Sequence, residues 1–416
     1  MPVMNLQEAR LSNGLRIVGE VLPTVQSVTF SIWSAVGSRQ EAPHQHGMAH
    51  FLEHMLFKGT PTRDATEIAR AIEGRGGVLN ASTGKELTFY YARMLSEHLP
   101  IAVEVLSDMF LNARLDPEDI EREKGVILEE MKMIEDDPAE YLHDLLQETH
   151  WQGHPLGRRI IGTPETVSAF TREMLWEFIQ THYHPQNTVI ACVGNFEFDA
   201  LVSEVERWLG AWHPNSEPPC QQVAPPVHPN GNMEPILVPR EVEQVHFAIG
   251  VDGVSFRDER RYALAVLNTL LGGSMFSRLW QEVREKRGLA YEIGSYAMPM
   301  SDGGMFVIYG GTAESAFEEV LKLVNAELER LMAEPPDEQE VESAKNLLKG
   351  GRVLALESTQ ARAELIGSET LMLGQVRPME EILARIDAVN ATDLHTLAQE
   401  LLPPERRTVV AIVPGG

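Results

Sequence analysis

His50-Phe51-Leu52-Glu53-His54, the start of the run HFLEHMLFKGT at 50–60, puts two imidazoles and a carboxylate into five residues. In a helix, His50, Glu53 and His54 fall within about a third of the circumference, because positions i, i+3 and i+4 stack on one face. Met48, Phe51, Leu52 and Met55 fall on the other side, an apolar stripe suited to a core. The spacing therefore predicts an amphipathic helix with a polar face that can bind metal. Imidazole nitrogens one turn apart can share a zinc ion, and a carboxylate between them can take a proton from an activated water. The order His-x-x-Glu-His is a known metallopeptidase signature. In a chain with 14 His and 61 Asp+Glu, five residues alone also fit the solvated face of a surface helix.

Around this helix the sequence alternates strands and helices. Residues 8–21 read as two short strands joined at Ser12-Asn13-Gly14, and 27–36 as a core strand rich in β-branched and aromatic residues. The motif helix ends near Lys58-Gly59-Thr60-Pro61, and a second helix covers 65–73. An antiparallel pair is expected at 77–82 and 87–95, then helices at 99–112 and from Pro117 to about Asp137, the latter capped by Asp116. Further helices are expected at 141–150 and 173–182, and a strand at 188–193.

Residues 213–235 hold seven prolines and little periodicity, as an extended linker would. Beyond it the order repeats. Strands are expected at 245–251, 289–297 and 304–311, with helices at 262–271, 274–287, 314–332 and one opening at Pro336-Asp337-Glu338. Setting Ile120 on Val341 and Lys124 on Lys345 puts Gly351 at the position of Glu130, and the helix at 265–271 has no His. We therefore expect an α+β chain of two homologous domains, each a mostly antiparallel sheet packed with helices. The boundaries are 1–212 for a metal-binding domain, 213–235 for the linker and 236–416 for a copy without the metal chemistry.

Composition narrows the function. At 416 residues the chain exceeds one ordinary core. A net charge of −26 argues against nucleic-acid binding. Cys192 sits in an apolar run and Cys220 in the proline-rich stretch, so a reducing, cytoplasmic setting is expected. The first 20 residues hold no apolar run of signal-peptide length, and no stretch of about 18 apolar residues predicts a membrane span. The other histidines look unremarkable. His44 and His46 read as surface residues, and His150, His154, His182 and His184 as structural ones.

A catalytic zinc takes three protein ligands plus water, so His50 and His54 need a third. The helix from Pro117 presents Glu123 and Glu130 seven residues apart on one face, but an acidic face is ordinarily just solvated, and helical phase only weakly separates Glu130 from Glu129. The runs HFLEHMLFKGT, GGVLNASTGKELTFYYARML, EREKGVILEEM, HPLGRRIIGTPETV and LWQEVREKRGLAYEIGSY together resemble the pitrilysin/insulinase family of inverted-zincin metallopeptidases. Within it, the bacterial relatives of the mitochondrial processing peptidase look nearest. The resemblance spans nearly the whole chain. It implies a zinc-dependent endopeptidase with one Zn²⁺ per chain, held by His50, His54 and Glu130, with Glu53 as general base and Glu123 supporting the site from behind.

The resemblance also implies that Val78, Leu79, Asn80 and Ala81 lie on an edge strand that binds extended peptide by β-augmentation. Arg284 and Tyr291 match a pair that grips the substrate carbonyl and stabilises the oxyanion. Leu271-Gly272-Gly273-Ser274 resembles a substrate-guiding loop. Phe57, on the metal face of the motif helix, is expected to line a substrate side-chain pocket. Because the family's chamber takes four such domains, a homodimer, or a heterodimer with a related subunit, is expected. A second class stays open: a non-catalytic structural or peptide-binding subunit of a processing-peptidase-like complex.

Overall fold

The structure is a computed structural model that describes residues 4–213 and 234–415. Nearly all of the expected linker at 213–235, including Cys220, lies outside the described residues. The first sheet has six strands: β1 (Leu6–Arg10), β2 (Arg16–Val21), β3 (Ser27–Ser34), β4 (Val78–Thr83), β5 (Thr88–Leu95) and β6 (Thr188–Gly194), in the order β1-β2-β6-β3-β5-β4. Only β2 and β6 run parallel; the other neighbours are antiparallel. The central strands β3 and β6 are buried along almost their whole length, which explains their near-continuous apolar runs. The edge strand β4 instead alternates between exposed and half-buried residues.

The second sheet is built from β7 (Ile236–Arg240), β8 (Val245–Asp252), β9 (Ala290–Pro299), β10 (Gly304–Thr312) and β11 (Thr408–Pro414), in the order β7-β11-β8-β10-β9. Again one pair, β7 and β11, is parallel and the rest are antiparallel. Reading β7, β11, β8, β10 and β9 as copies of β2, β6, β3, β5 and β4 reproduces the order and sense of every pairing. The repeat expected from the sequence is therefore present in the topology, and the fold is two mixed helix-and-sheet domains.

The compact units are not the contiguous stretches 1–212 and 236–416. One unit comprises Met1–Met131, Arg159–Val223 and Ala355–Met379; the other comprises Lys132–Arg158, Ala224–Leu354 and Glu380–Gly416. The halves exchange a helix. Thr359–Leu373, from the second half of the chain, packs on β3 and β6, while Pro138–His150, from the first half, packs on β8 and β11. In the first unit Ala363 and Ile366 join Val18, Trp33, Val189, Ala191 and Val193 in one apolar cluster. In the second unit Leu142 and Leu146 pack with Ala248, Met305, Val307, Val410 and Ile412. Each sheet thus buries apolar residues against a helix that lies more than 150 residues away in the sequence from part of that sheet, and the burial stabilises both.

One expected element is shorter than its sequence suggests. In place of a helix over 274–287, the chain turns through Gly272 to Ser277, and a π-wound segment covers Trp280–Glu285. The Lys286 N–H donates to the Gln281 carbonyl at 3.0 Å, an i to i+5 bond, and Gly288 closes the segment at φ +63°. Gly272 sits so close to β9 that a Cβ there would lie 2.5 Å from Ser295 Oγ, so this position of the turn has room for glycine alone.

Gly367 tests the exchanged helix. A Cβ at this position would meet the Trp33 indole nitrogen at 2.4 Å, and Trp33 is itself fixed by stacking on Phe89 and by its hydrogen bond to Ser31. Gly367→Val is expected to lower stability by about 1–3 kcal/mol through overpacking, seen as a lower urea midpoint by circular dichroism. An unchanged midpoint would mean that this helix seats loosely.

Candidate metal centre

The motif helix covers Met48–Leu56. Gly47, its N-cap, has no side chain to cap with, and Glu41 serves instead. Its two carboxylate oxygens accept from the N–H groups of Gly47 and Ala49 at 2.9 and 2.8 Å. A carboxylate at this end also complements the helix dipole. Gly47 adopts φ +93°, and a Cβ would lie 2.7 Å from the Ile161 carbonyl oxygen, so glycine is required by both conformation and space. The apolar face is buried as the spacing predicts: Met48, Phe51, Leu52 and Met55 are all inaccessible, and Phe51 meets Phe170 edge to face.

That anchoring presents His50, Glu53 and His54 to the helix Pro117–Asp136, whose first turn is capped by Asp116 through the N–H of Glu118. The face carrying Ile120, Glu123, Ile127 and Met131 is buried, and Glu130 lies at its border. His50 Nε2 lies 3.8 Å from one Glu130 oxygen, and His54 Nε2 lies 3.7 Å from the other. Ligand atoms of His50, His54 and Glu130 all lie within 4.8 Å of one another, and no other such group of three occurs among the described residues. Glu129, which helical phase barely separates from Glu130, lies on the exposed face and is not part of the group.

The donor set suits zinc. Two imidazole nitrogens and one carboxylate oxygen are three protein ligands of the kinds that zinc takes. Three ligands leave a fourth position open, as in catalytic rather than structural sites.

Glu123 fixes the second histidine. It is buried, and its Oε1 lies 2.8 Å from Nδ1 of His54. An ionised carboxylate can only accept, so Nδ1 carries the proton and the Nε2 lone pair faces Glu130. Lys58 Nζ lies 2.5 Å from the other Glu123 oxygen. Burial pushes Glu123 toward the neutral acid, but the hydrogen bonds from His54 and Lys58 outweigh it and hold its pKa below the usual carboxylate range. His50 behaves differently. Burial, with some repulsion from His54, pushes it down to about 4, so it stays neutral, as a metal ligand must. For His54, burial opposes the charged form but is outweighed by the Glu123 hydrogen bond and by the surrounding carboxylates, so its pKa is raised.

Glu53 is not a member of the three-residue group. Thr83, the last residue of β4, donates its hydroxyl to Glu53 Oε2 at 2.5 Å. Burial raises the Glu53 pKa, with this hydrogen bond opposing it. One carboxylate oxygen is thus held, and the other, with no hydrogen bond among the described residues, can handle a proton. Neither Thr83 nor Lys58 stood out in the sequence as a site residue. Lys58 is one turn past His54 but beyond the end of the motif helix, where helical phase gives no signal. Thr83 has none either, because only the pairing of β4 brings it to the helix.

The remaining candidates fall as follows. Among the described residues β4, with Asn80 and Ala81, is the edge of its sheet and pairs with β5 alone. Phe57 is the half-buried C-cap of the motif helix, its ring 6.4 Å from Tyr90. In the second unit, the Arg284 guanidinium lies between the rings of Trp280 and Tyr291, at 4.1 and 4.6 Å, and donates to the Tyr291 carbonyl. Tyr291 is 79% exposed. His46 is more engaged than a surface residue, since its Nε2 meets the Arg159 carbonyl at 2.6 Å. His150 is structural: buried, it bonds Thr408 and Asp252. His154 caps the turn at Pro155–Gly157, and His182 and His184 are buried. No described helix is long and apolar enough to cross a membrane.

Comparison with known proteins agrees with this geometry. The family model described as insulinase (peptidase family M16) matches residues 16–164, and the one described as the peptidase M16 inactive domain matches 169–348. An uncharacterized zinc protease of Streptomyces coelicolor is 42% identical over 402 residues, covering 95% of this chain and 87% of its own. The uncharacterized zinc protease YmxG of Bacillus subtilis is 39% identical over 404 residues, covering 97% of both. Among solved structures, a protease from Helicobacter pylori shares the fold at a TM-score of 0.90 with 24% identity, covering 99% of this chain and all of that one. With both halves matched and such identity over nearly its full length, the chain belongs to the insulinase family, peptidase family M16.

Proposed function

We propose that the chain is a zinc-dependent endopeptidase that hydrolyses peptides or unfolded segments held as an added β-strand. The observation that carries this reading is the meeting of His50, His54 and Glu130 beside a half-buried Glu53 that Thr83 holds through one carboxylate oxygen. The zinc-protease names of the bacterial relatives support it. One Zn²⁺ per chain is proposed, since the described residues contain one such group.

Zinc, when bound, would polarise a water and the scissile carbonyl. Glu53 accepts the proton of the attacking water at the oxygen that Thr83 leaves free, then delivers it to the leaving amine. Glu123 keeps His54 in the required tautomer. The outer edge of β4, near Asn80 and Ala81, offers main-chain groups to an extended peptide, which gives affinity with little demand on its sequence. Phe57 lines a side-chain pocket beside the motif helix. Arg284 and Tyr291 supply pre-placed donors to the substrate carbonyl. We assign them to the site of a second copy, so that a homodimer carries two shared sites; a related subunit is the other source of such a pair.

A second reading rests on the match of residues 169–348 to the inactive-domain model: a non-catalytic structural or peptide-binding subunit. Bound zinc without cleavage across varied quenched peptides would favour it over the peptidase.

Removing zinc with a chelator is expected to abolish cleavage, and added zinc to restore it. Glu53→Gln should lower turnover by about 100- to 10,000-fold while zinc content by mass spectrometry stays at the wild-type level. Glu130→Gln and His54→Ala should instead lose the metal. Mixed dimers of Glu53→Gln and Arg284→Ala chains should regain part of the activity that each homodimer lacks; absence of any rescue would count against sharing between subunits. Phe57→Ala should alter cleavage preference in a peptide library, and an unaltered profile would remove it from the pocket.

A further inference from the structure

Lys58 follows the motif helix at its C-terminal end, one turn beyond His54. Its ammonium lies 2.5 Å from Glu123 Oε2, and the same carboxylate meets His54 Nδ1 through Oε1. The Glu123 side chain is only 3% exposed, whereas that of Lys58 is 31% exposed. Both oxygens of a buried carboxylate are therefore committed, one to each neighbour. Without Lys58, Oε2 would be a buried charged atom with no partner, and the carboxylate would be free to turn about its last bond. His54 would then lose the acceptor that sets its ring.

We infer that Lys58 is a positioning residue of the metal centre, clamping Glu123 so that Glu123 in turn holds His54 with Nε2 toward Glu130. The inference rests on the reading of His50, His54 and Glu130 as zinc ligands. The competing role is local: a cation at a helix C-terminus complements the terminal carbonyls whatever stands opposite. The geometry disfavours that role, because the ammonium bonds the Glu123 carboxylate and not a terminal carbonyl. The second unit is consistent. With Ile120 set on Val341, the position of Glu123 is taken by Ala344, and the helix Arg261–Leu271, which matches the motif helix, has no histidine to orient.

The two roles separate in a double-mutant cycle read by zinc affinity, which does not depend on turnover. Zinc is titrated into metal-free protein against a chromogenic chelator for wild type, Lys58→Met, Lys58→Arg, Glu123→Gln and the Lys58→Met/Glu123→Gln pair. Thermal midpoints of the metal-free forms show whether each variant is folded. Lys58→Met is expected to weaken zinc binding about 10- to 100-fold, as for other partners that orient a ligand. Lys58→Arg should recover most of that loss, and Lys58→Met should add nothing in the Glu123→Gln background. Wild-type affinity in Lys58→Met overturns the inference, as does an equal loss with and without Glu123. Should Lys58→Met be unfolded, Lys58→Gln takes its place in the cycle with the same outcomes. A wild-type chain that takes up no zinc overturns the ligand reading, and this inference with it.

Discussion

The candidate metal centre depends on one long-range contact, the docking of a buried glutamate on an imidazole. Glu123 and His54 are 69 residues apart, yet their hydrogen bond joins the helix Pro117–Asp136 to the motif helix and sets which nitrogen of His54 faces outward. Because Glu130 lies seven residues beyond Glu123, the same docking carries it to His50 and His54. Burying a carboxylate so deeply is unfavourable unless both oxygens are satisfied, and here both are. Structural support and chemical orientation therefore come from the same two bonds.

The duplicated fold puts different demands on its two copies. The two sheets repeat strand for strand, but where the first copy has Glu130 the second has Gly351, and the second has no histidine on the matching helix. What it carries instead is Arg284, stacked between Trp280 and Tyr291 on a π-wound turn. Such turns are uncommon and concentrate at functional positions. The exchange of Pro138–His150 and Thr359–Leu373 between units means that each contiguous half of the chain relies on a helix of the other half to cover part of its sheet. The candidate metal site of the first copy is thus carried on a unit that includes part of the second half of the chain.

Much of this was legible in the sequence because the signals were local. The apolar stripe of Met48, Phe51, Leu52 and Met55, the cap at Asp116 and the Ser12-Asn13-Gly14 turn each act within a few residues. The helix Leu99–Asn112 lies where its periodicity predicts. The exchanged helix Thr359–Leu373 gave no such signal. Its buried side includes Thr359, Arg362, Gly367, Glu369 and Thr370, so no apolar stripe marks it. Those residues are buried because they meet specific partners: Thr359 meets Thr29, Arg362 pairs with Glu20, and Gly367 lies on Trp33.

The sequence by itself determined the polar face of the motif helix, the repeat, the character of most strands and the two histidines as candidate ligands, since each follows from spacing along one element. It did not choose between Glu129 and Glu130 by phase, and it did not mark Thr83 or Lys58. It drew the units as contiguous, although they interleave. Those decisions belong to the tertiary structure. They depend on which atoms meet across elements far apart in the chain, and on whether a buried charge finds a partner there, neither of which the period of a single helix or strand encodes.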